Sequence, residues 1–207
     1  MKNPWLQIPA EDYEKHMSHP SVMQLQMLDN VFKNILDDID PNSIAILGCT
    51  AGNGFQHLIN RELESVVGID INFSYLAECK AWFIQDVKNL QFICADLNEI
   101  EITAESFDLV HAALIFEYVD VDVVLSKIAK WLKPGGSLTV VLQLPNEALT
   151  LVSKTPVESV NILSAFMKLV DPEWMQLKAK KYGLDEVNNY KIKLETGKNF
   201  SVLYFKK

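Results

Sequence analysis

The residues best suited to chemistry follow short apolar segments of the chain. Gly48, Gly52 and Gly54 come directly after the apolar segment 44–47. Glycines at a strand-to-helix turn let the backbone approach a ligand closely and turn helix N–H groups towards it. The spacing differs from the dinucleotide pattern G-x-G-x-x-G because Thr50 stands where a second glycine would complete it. The run predicts a ligand-binding loop, and a tight turn without a ligand is the alternative.

Two aspartates follow the next two apolar segments. Asp70 closes V-V-G-I-D and Asp96 follows F-I-C-A. Ligands of open α/β sheets bind at the carboxyl ends of the strands. A carboxylate after the second strand can accept both ribose hydroxyls of a nucleotide, and one after the third can accept a hydrogen bond from an adenine amino group. For Asp70 the spacing favours the ribose role over a simple helix cap.

Alternating elements must position these residues. The predicted strands are 44–47, 66–69, 90–93, 107–112 and 137–142, and the predicted helices are 21–36, about 54–62, about 74–87, about 121–131, 157–170 and 172–182. Strands rich in Val, Ile and Leu separated by helices are typical of a parallel sheet covered on both faces. Segments 186–194 and 200–205 flank T-G-K-N without a helix and predict an antiparallel hairpin.

Composition limits the classes of partner. The chain has 207 residues, the length of one domain, and a net charge of −8 at pH 7, which argues against a large nucleic-acid surface. Cys49, Cys79 and Cys94 lack the paired spacing of a zinc site, so no metal is predicted. No apolar run reaches the roughly 18 residues of a membrane span, so we expect a cytoplasmic protein without a membrane partner. The oligomeric state is not predicted.

Five motifs in order resemble those of class I S-adenosylmethionine-dependent methyltransferases, especially the small type-11-like group. They are G-C-T-A-G-N-G at 48–54, G-I-D at 68–70, A-D-L at 95–97, F-D-L-V-x-A at 107–112 and L-K-P-G-G-x-L at 132–138. Each motif is weak alone, and their order at suitable spacing carries the resemblance. It implies an α/β, Rossmann-like, doubly wound and mostly parallel seven-stranded sheet, with a C-terminal antiparallel hairpin and helices on both faces.

The predicted single domain, 1–207, has four parts. They are an N-terminal lid and helix at 1–40, a cofactor-binding core at 43–142, an acceptor-side cap at 145–184 and the terminal hairpin at 185–207. The lid segment, residues 5–17, resembles lids that fold over the cofactor in small methyltransferases. An apolar strap packed on the core is the alternative. The cap, whose apolar residues include Phe166, would close the acceptor pocket.

The resemblance implies S-adenosylmethionine as the cofactor and assigns its contacts. The implied cofactor-binding residues are Tyr13, Gly48, Cys49, Thr50, Gly52, Gly54, Asp70, Ile71, Asp96, Leu97, His111 and Ala112. In this assignment the glycine loop wraps the methionine part, Asp70 holds the ribose, and Asp96 with Leu97 frames the adenine. His111 and Ala112 then lie near the sulfonium.

Methyl transfer from a sulfonium depends mainly on alignment, because the donor is already activated. The candidates for a catalytic base are His111 and Tyr118, together with Glu117, although a lone histidine beside a strand is often structural. The predicted partner is a small-molecule methyl acceptor.

Two departures from the family pattern keep alternatives open. Ile46 stands where the family usually has an acid that helps to hold the cofactor's amino group, and Thr50 stands where it usually has glycine. A non-catalytic S-adenosylmethionine-binding protein is therefore one alternative. A nicotinamide-dependent oxidoreductase, which would need the missing G-x-G-x-x-G, is the other.

Overall fold

A seven-stranded sheet forms the centre of the computed structural model, which describes residues 3–207. Its strands are β1 (Ser43–Leu47), β2 (Ser65–Asp70), β3 (Leu90–Cys94), β4 (Phe107–Ala113), β5 (Leu132–Gln143), β6 (Asp185–Lys193) and β7 (Asn199–Lys206). The strand order is β3-β2-β1-β4-β5-β7-β6. The first five strands are parallel, and β7 is antiparallel to both β5 and β6. The predicted sheet with its C-terminal hairpin is confirmed.

Helices cover both faces of the sheet, as the crossover pattern predicts. They are α1 (Ala10–Ser18), α2 (Gln24–Ile39), α3 (Phe73–Phe83), α4 (Val121–Trp131) and α5 (Pro172–Lys181). One core cluster joins the sheet to α4 and α5, and a second joins it to α2 and α3. Along β1, Ala45 and Leu47 belong to the first cluster while Ile44 and Ile46 belong to the second, because successive strand side chains point to opposite faces.

Two predicted helices are much shorter in the structure. The helix expected at 54–62 is a single 3-10 turn, Phe55–Leu58, which lies between Gly54 and Asn60, both with positive φ angles of 89° and 66°. The helix expected at 157–170 is a 3-10 helix, Ser159–Ala165. It packs Val160 and Leu163 against Ile8 of the N-terminal segment, so tertiary contacts override its helical periodicity.

Two further differences lie at the ends of predicted elements. The fifth strand begins at Leu132 rather than at 137, and its register against β4 shifts between Phe107 and Leu109. Part of the predicted lid forms α1, which begins after Pro9. Among residues 3–207, no helix combines the length and the apolar composition that crossing a membrane requires.

Candidate functional site

A cavity of about 620 Å³ opens at the carboxyl ends of β1 to β4. We call it the front cavity, and it is bordered by Thr50, Asp70, Asp96, Leu114 and Tyr118, among others. The rule that ligands of open α/β sheets bind at this edge therefore places the candidate site here.

Asp70 is the buried acid of the front cavity. Its Oδ2 accepts a hydrogen bond from the backbone N–H of Thr50 at 2.9 Å, and its Oδ1 accepts one from the N–H of Asn72 at 2.8 Å. Burial raises the pKa of Asp70, and these backbone donors oppose that rise. A carboxylate has about four lone-pair sites, so both oxygens keep room for one more donor each. Two neighbouring ligand hydroxyls are the donors that such an arrangement accommodates.

The glycine loop divides its residues between the cavity and the core. Gly48 and Thr50 line the front cavity and have φ angles of 65° and 46°. A Cβ at Gly48 would lie 2.6 Å from Ile115 Cδ1, which explains the glycine there. Gly52 and Gly54 instead pack the loop on neighbouring helices, since a Cβ at Gly52 would lie 2.6 Å from the Sγ of Cys79 and one at Gly54 would lie 2.8 Å from Phe32 Cδ1.

Asp96 stands at the other end of the front cavity. Its Oδ1 accepts hydrogen bonds from both the backbone N–H and the side-chain amide of Asn98, at 2.8 and 2.9 Å. Ile71 and Leu97 line the same end with apolar surface. A carboxylate beside two apolar side chains suits a flat heterocycle that carries an amino group.

The N-terminal segment closes the front cavity. The side-chain amide of Asn72 donates to the carbonyl of Trp5 at 2.9 Å, and the Tyr75 hydroxyl donates to the carbonyl of Ile8 at 2.9 Å. Trp5 and Tyr13 line the cavity, with their rings edge to face at 5.5 Å. The indole Nε1 of Trp5 is buried, and no residue in the described range 3–207 forms a hydrogen bond with it. A buried unpaired donor is costly, so it offers a hydrogen bond to a ligand of this site.

A second cavity lies beneath the glycine loop and is called the loop cavity. It is bordered by Tyr13, Ile46, Cys49 and His111, among others, and shares Gly48, Thr50 and Ala113 with the front cavity. In the described part of the chain its lining contains no carboxylate, because Ile46 occupies the position where the resemblance led us to expect an acid. Cys49 is buried between the loop and Gly68, and a Cβ added at Gly68 would lie 3.0 Å from the Cys49 Sγ.

His111 lies in the loop cavity and away from the mouth of the site. It is 5% exposed, its Nδ1 makes a 2.9 Å hydrogen bond with the Thr139 hydroxyl, and its ring stacks on Phe32 at 4.9 Å. Burial lowers the pKa of His111 to about 4, so the ring is neutral near pH 7. These contacts favour a structural role. Ala112 is fully buried on the opposite face of β4, in the core cluster with α4, and lines neither cavity.

A third cavity, of about 420 Å³, lies behind the aromatic wall of the front cavity and is called the inner cavity. Trp5, Tyr13, Leu114 and Tyr118 line both of them. Tyr13 also lines the loop cavity, so all three cavities meet at its side chain. Burial, with the charge of Asp70 adding to it, raises the pKa of Tyr13 above its ordinary value, and burial likewise raises that of Tyr118. Both phenols are therefore neutral near pH 7.

Glu117 is the most deeply buried acid of this region. It is 1% exposed, its Oε1 accepts a 2.9 Å hydrogen bond from the backbone N–H of Gln143, and its Oε2 has no hydrogen-bond partner within residues 3–207. Burial raises the pKa of Glu117 to about 7. Gln143 lines the inner cavity, so the carboxyl group supports one wall of it.

About half of the residues that line the front cavity were predicted from the sequence, and about half were missed. The missed residues are Asn3, Trp5, Ile69, Ala95, Asn98, Ala113, Leu114, Ile115 and Val119. Ala113 is identifiable from strand periodicity, because it shares a face of β4 with His111 whereas Ala112 does not. Trp5 lies in the segment 5–17 that was predicted to be a lid, whereas no local pattern indicates Asn3, which reaches the site only through tertiary packing.

Comparison with known proteins points to one family. Residues 46–140 match a family model described as a methyltransferase domain. Phosphoethanolamine N-methyltransferase 1 of Triticum aestivum is 28% identical over 141 residues, which are 61% of this chain. The chain covers 28% of that relative's length.

Solved structures share the fold at low sequence identity. The N-methyltransferase NodS from Bradyrhizobium japonicum, in complex with S-adenosyl-L-homocysteine, is 15% identical with a TM-score of 0.70, over 100% of this chain and 99% of that chain. Geranyl diphosphate C-methyltransferase from Streptomyces coelicolor is 10% identical with a TM-score of 0.67, over 90% and 82%. The [4+2]-cyclase SpnF is 12% identical with a TM-score of 0.70, over 88% and 82%.

The front cavity fits the adenosine part of S-adenosylmethionine. Asp70 offers acceptors for two hydroxyls, Asp96 offers one for an amino group, and Trp5 Nε1 offers an unused donor. The fit is weaker at the amino-acid end, where none of the described residues that line the loop cavity offers a carboxylate to an ammonium group. The matched family model over residues 46–140, the related sequence and the sheet topology make this chain similar to the class I S-adenosylmethionine-dependent methyltransferases, whose cofactor is S-adenosylmethionine.

Proposed function

We propose that the chain transfers a methyl group from S-adenosylmethionine to a small-molecule acceptor. One observation carries the proposal: the front cavity, which suits adenosine, meets the inner cavity at Tyr13. Two ligands that must exchange a group need separate pockets with a shared boundary. The acidic net charge of −8 supports a small acceptor rather than a nucleic acid.

The cofactor contacts follow from the site geometry. We assign the ribose to Asp70, the adenine to Asp96, Ile71 and Leu97, and the methionine part to the backbone of the loop at Gly48 and Thr50. Other residues predicted to bind the cofactor do not line the front cavity. Cys49 and His111 shape the loop cavity, while Gly52 and Gly54 hold the loop against α3 and α2.

The chain itself mainly aligns the two ligands. When bound, S-adenosylmethionine supplies an electrophilic methyl group on its sulfonium. Tyr13 and Tyr118 form the boundary between the two pockets, and Trp5 packs on both rings, at centroid distances of 5.5 and 5.0 Å. Such a rigid aromatic wall excludes water and fixes the direction of approach. Orientation of this kind contributes roughly 7–11 kcal/mol to barrier lowering.

The candidates for a base differ in their suitability. The neutral His111 has its Nδ1 engaged by Thr139 and does not line the inner cavity. Tyr118 lines it, but its raised pKa makes it a poor proton acceptor near pH 7. We therefore assign Tyr118 to alignment and His111 to support of the loop cavity. An acceptor that is already deprotonated, such as a free amine, needs no base.

A transfer assay with methyl-labelled S-adenosylmethionine tests the proposal. The acceptors offered are phosphoethanolamine, because the wheat relative is named for it, and a set of small amines, thiols and carboxylic acids. We expect acceptor-dependent labelling and formation of S-adenosylhomocysteine, both reduced in Asp70→Asn. Binding of NAD in place of S-adenosylmethionine would contradict the proposal and favour an oxidoreductase.

A non-catalytic cofactor-binding protein is the second candidate, and the loop cavity is the observation that favours it. Without a carboxylate at Ile46, the ammonium group of the cofactor meets only neutral groups among the described residues of the loop cavity. Tight binding of S-adenosylmethionine without turnover on any acceptor of the set would favour this second function. Turnover on one of them would reject it.

A further inference from the structure

A buried lysine lines the inner cavity without an acidic partner. Lys198 directly precedes β7 and is 3% exposed. Its Nζ donates to the Gln143 Oε1 at 3.1 Å and to the Leu151 carbonyl at 2.5 Å, both of them neutral acceptors. In the part of the chain that the structure describes, Lys198 forms no ion pair. A buried ammonium without an anion is costly and calls for an explanation.

The surroundings of Lys198 keep it available to a ligand. Burial lowers the pKa of Lys198 to about 8, so the amine is mostly protonated at pH 7. Burial, with the nearby charge of Lys198 adding to it, lowers the pKa of His16 to about 4. His16 is therefore neutral, and its Nδ1 is engaged by the Thr155 hydroxyl at 3.0 Å. An ammonium has three donors, and two of those on Lys198 are used.

The inner cavity has two chemically different ends. Its aromatic end, at Trp5, Tyr13 and Tyr118, is shared with the front cavity. The other polar residues of the inner cavity are His16, Gln24, Gln143 and Lys198, and none of them lines the front cavity. Among residues 3–207, no acidic residue lines the inner cavity. A molecule with an anion at one end and a nucleophile at the other therefore matches this pocket.

We infer that the inner cavity binds the methyl acceptor through an anionic group, a carboxylate or a phosphate, held by the ammonium of Lys198. The inference rests on the proposed function, because it identifies the inner cavity as the acceptor pocket. The anion pairs with the third donor of Lys198, while Gln143 and the Leu151 carbonyl fix the direction of the ammonium. The opposite end of the acceptor then faces Tyr13 and the methyl group.

Calorimetric titration with simple anions tests this inference. Protein saturated with S-adenosylhomocysteine is titrated with inorganic phosphate and with acetate at constant ionic strength, with chloride as the reference anion. We expect saturable binding of at least one of the two in the wild type. Phosphate alone would identify a phosphate acceptor, acetate alone a carboxylate acceptor, and binding of neither would overturn the inference.

Two variants locate the bound anion. Lys198→Met removes the charge and is expected to weaken anion binding at least tenfold, while Lys198→Arg keeps the charge and retains part of the affinity. Lys193→Met, at an exposed position on the same hairpin, is the matched control and should bind like the wild type. Equal anion affinity in Lys198→Met and wild type would overturn the inference. The wild-type titration decides the question alone if the Met variant does not fold.

Failure of this inference is separable from failure of the proposed function. S-adenosylhomocysteine binding is measured first for each variant and is expected to stay within about twofold of the wild type, because Lys198 lies outside the front cavity. Loss of that binding in the wild type itself would refute the proposed function. Normal cofactor binding and methyl transfer with no effect of Lys198→Met on anions would refute the inference alone.

Discussion

Replacing Glu117 with glutamine should change how the stability of the protein depends on pH. Glu117 is buried and its pKa is raised from 4.5 to about 7, mainly by desolvation. The folded state therefore holds this proton more tightly than the unfolded state does. The stabilisation is fully present below about pH 4.5 and is lost as the pH rises through about 7.

The size of this effect follows from the shift in pKa. One pKa unit corresponds to about 1.4 kcal/mol, so the contribution of Glu117 amounts to about 3 kcal/mol across the whole range. Glutamine keeps an oxygen that can accept the hydrogen bond from the Gln143 N–H and does not ionise. The Glu117→Gln variant should thus gain stability relative to the wild type as the pH rises, by up to about 3 kcal/mol between pH 4.5 and pH 8.

Urea unfolding of both proteins at several pH values between 5 and 8 measures this difference. Glu64→Gln, at an exposed position, controls for the loss of a glutamate as such. If the free energy of unfolding of Glu117→Gln relative to that of the wild type does not change with pH, or falls as the pH rises, the assignment of a buried, proton-holding carboxyl to Glu117 is refuted.

Three further substitutions test the site. Asp70→Asn should weaken S-adenosylmethionine binding at least tenfold in calorimetry, because it removes the charged carboxylate that accepts hydrogen bonds from the ribose hydroxyls. Unchanged affinity would mean that the ribose does not bind at Asp70. Ile46→Asp should lower the stability of the free protein by about 1–3 kcal/mol, since it buries a carboxylate, yet tighten cofactor binding by giving the ammonium a partner. Weaker binding would mean that another group already serves the ammonium. Gly52→Ala should destabilise the protein by about 1–3 kcal/mol in urea unfolding, because its φ is 95° and its new Cβ would lie 2.6 Å from Cys79 Sγ. Gly183→Ala is the control for backbone strain alone, because Gly183 has a φ of 76° and an added Cβ there would meet no atom within 4 Å. An equal loss of stability in both variants would show that the contact with Cys79 does not contribute.

The sheet and its ligand edge were predictable because both follow from local patterns. Apolar segments that alternate with helices determine the parallel strands, and the residue that ends each strand lies at the carboxyl edge. Asp70 and Asp96 were placed by this rule, and both line the front cavity. The short 3-10 turn after Gly54 was not predicted, since its helical apolar pattern gave no sign of the positive φ at Asn60.

The inner cavity was out of reach of sequence reasoning. At its polar end Lys198 donates to Gln143, which is 55 residues away in the sequence. His16, which lines the same end, forms a hydrogen bond with Thr155, which is 139 residues away. No spacing rule connects such distant positions, because they meet only when β7 pairs with β5 and α1 contacts the segment that follows β5. Phe166, which the sequence assigned to the cap, does not line the inner cavity. It lines a separate open cleft that Glu117 also borders.

Calorimetric titration of the wild-type protein with S-adenosylmethionine and, separately, with NAD tests the central claim most directly. The front cavity is the site at issue, because a glycine turn and a ribose-binding acid suit both ligands in general. We predict saturable binding of one S-adenosylmethionine per chain and no binding of NAD. Binding of NAD without binding of S-adenosylmethionine would contradict the account.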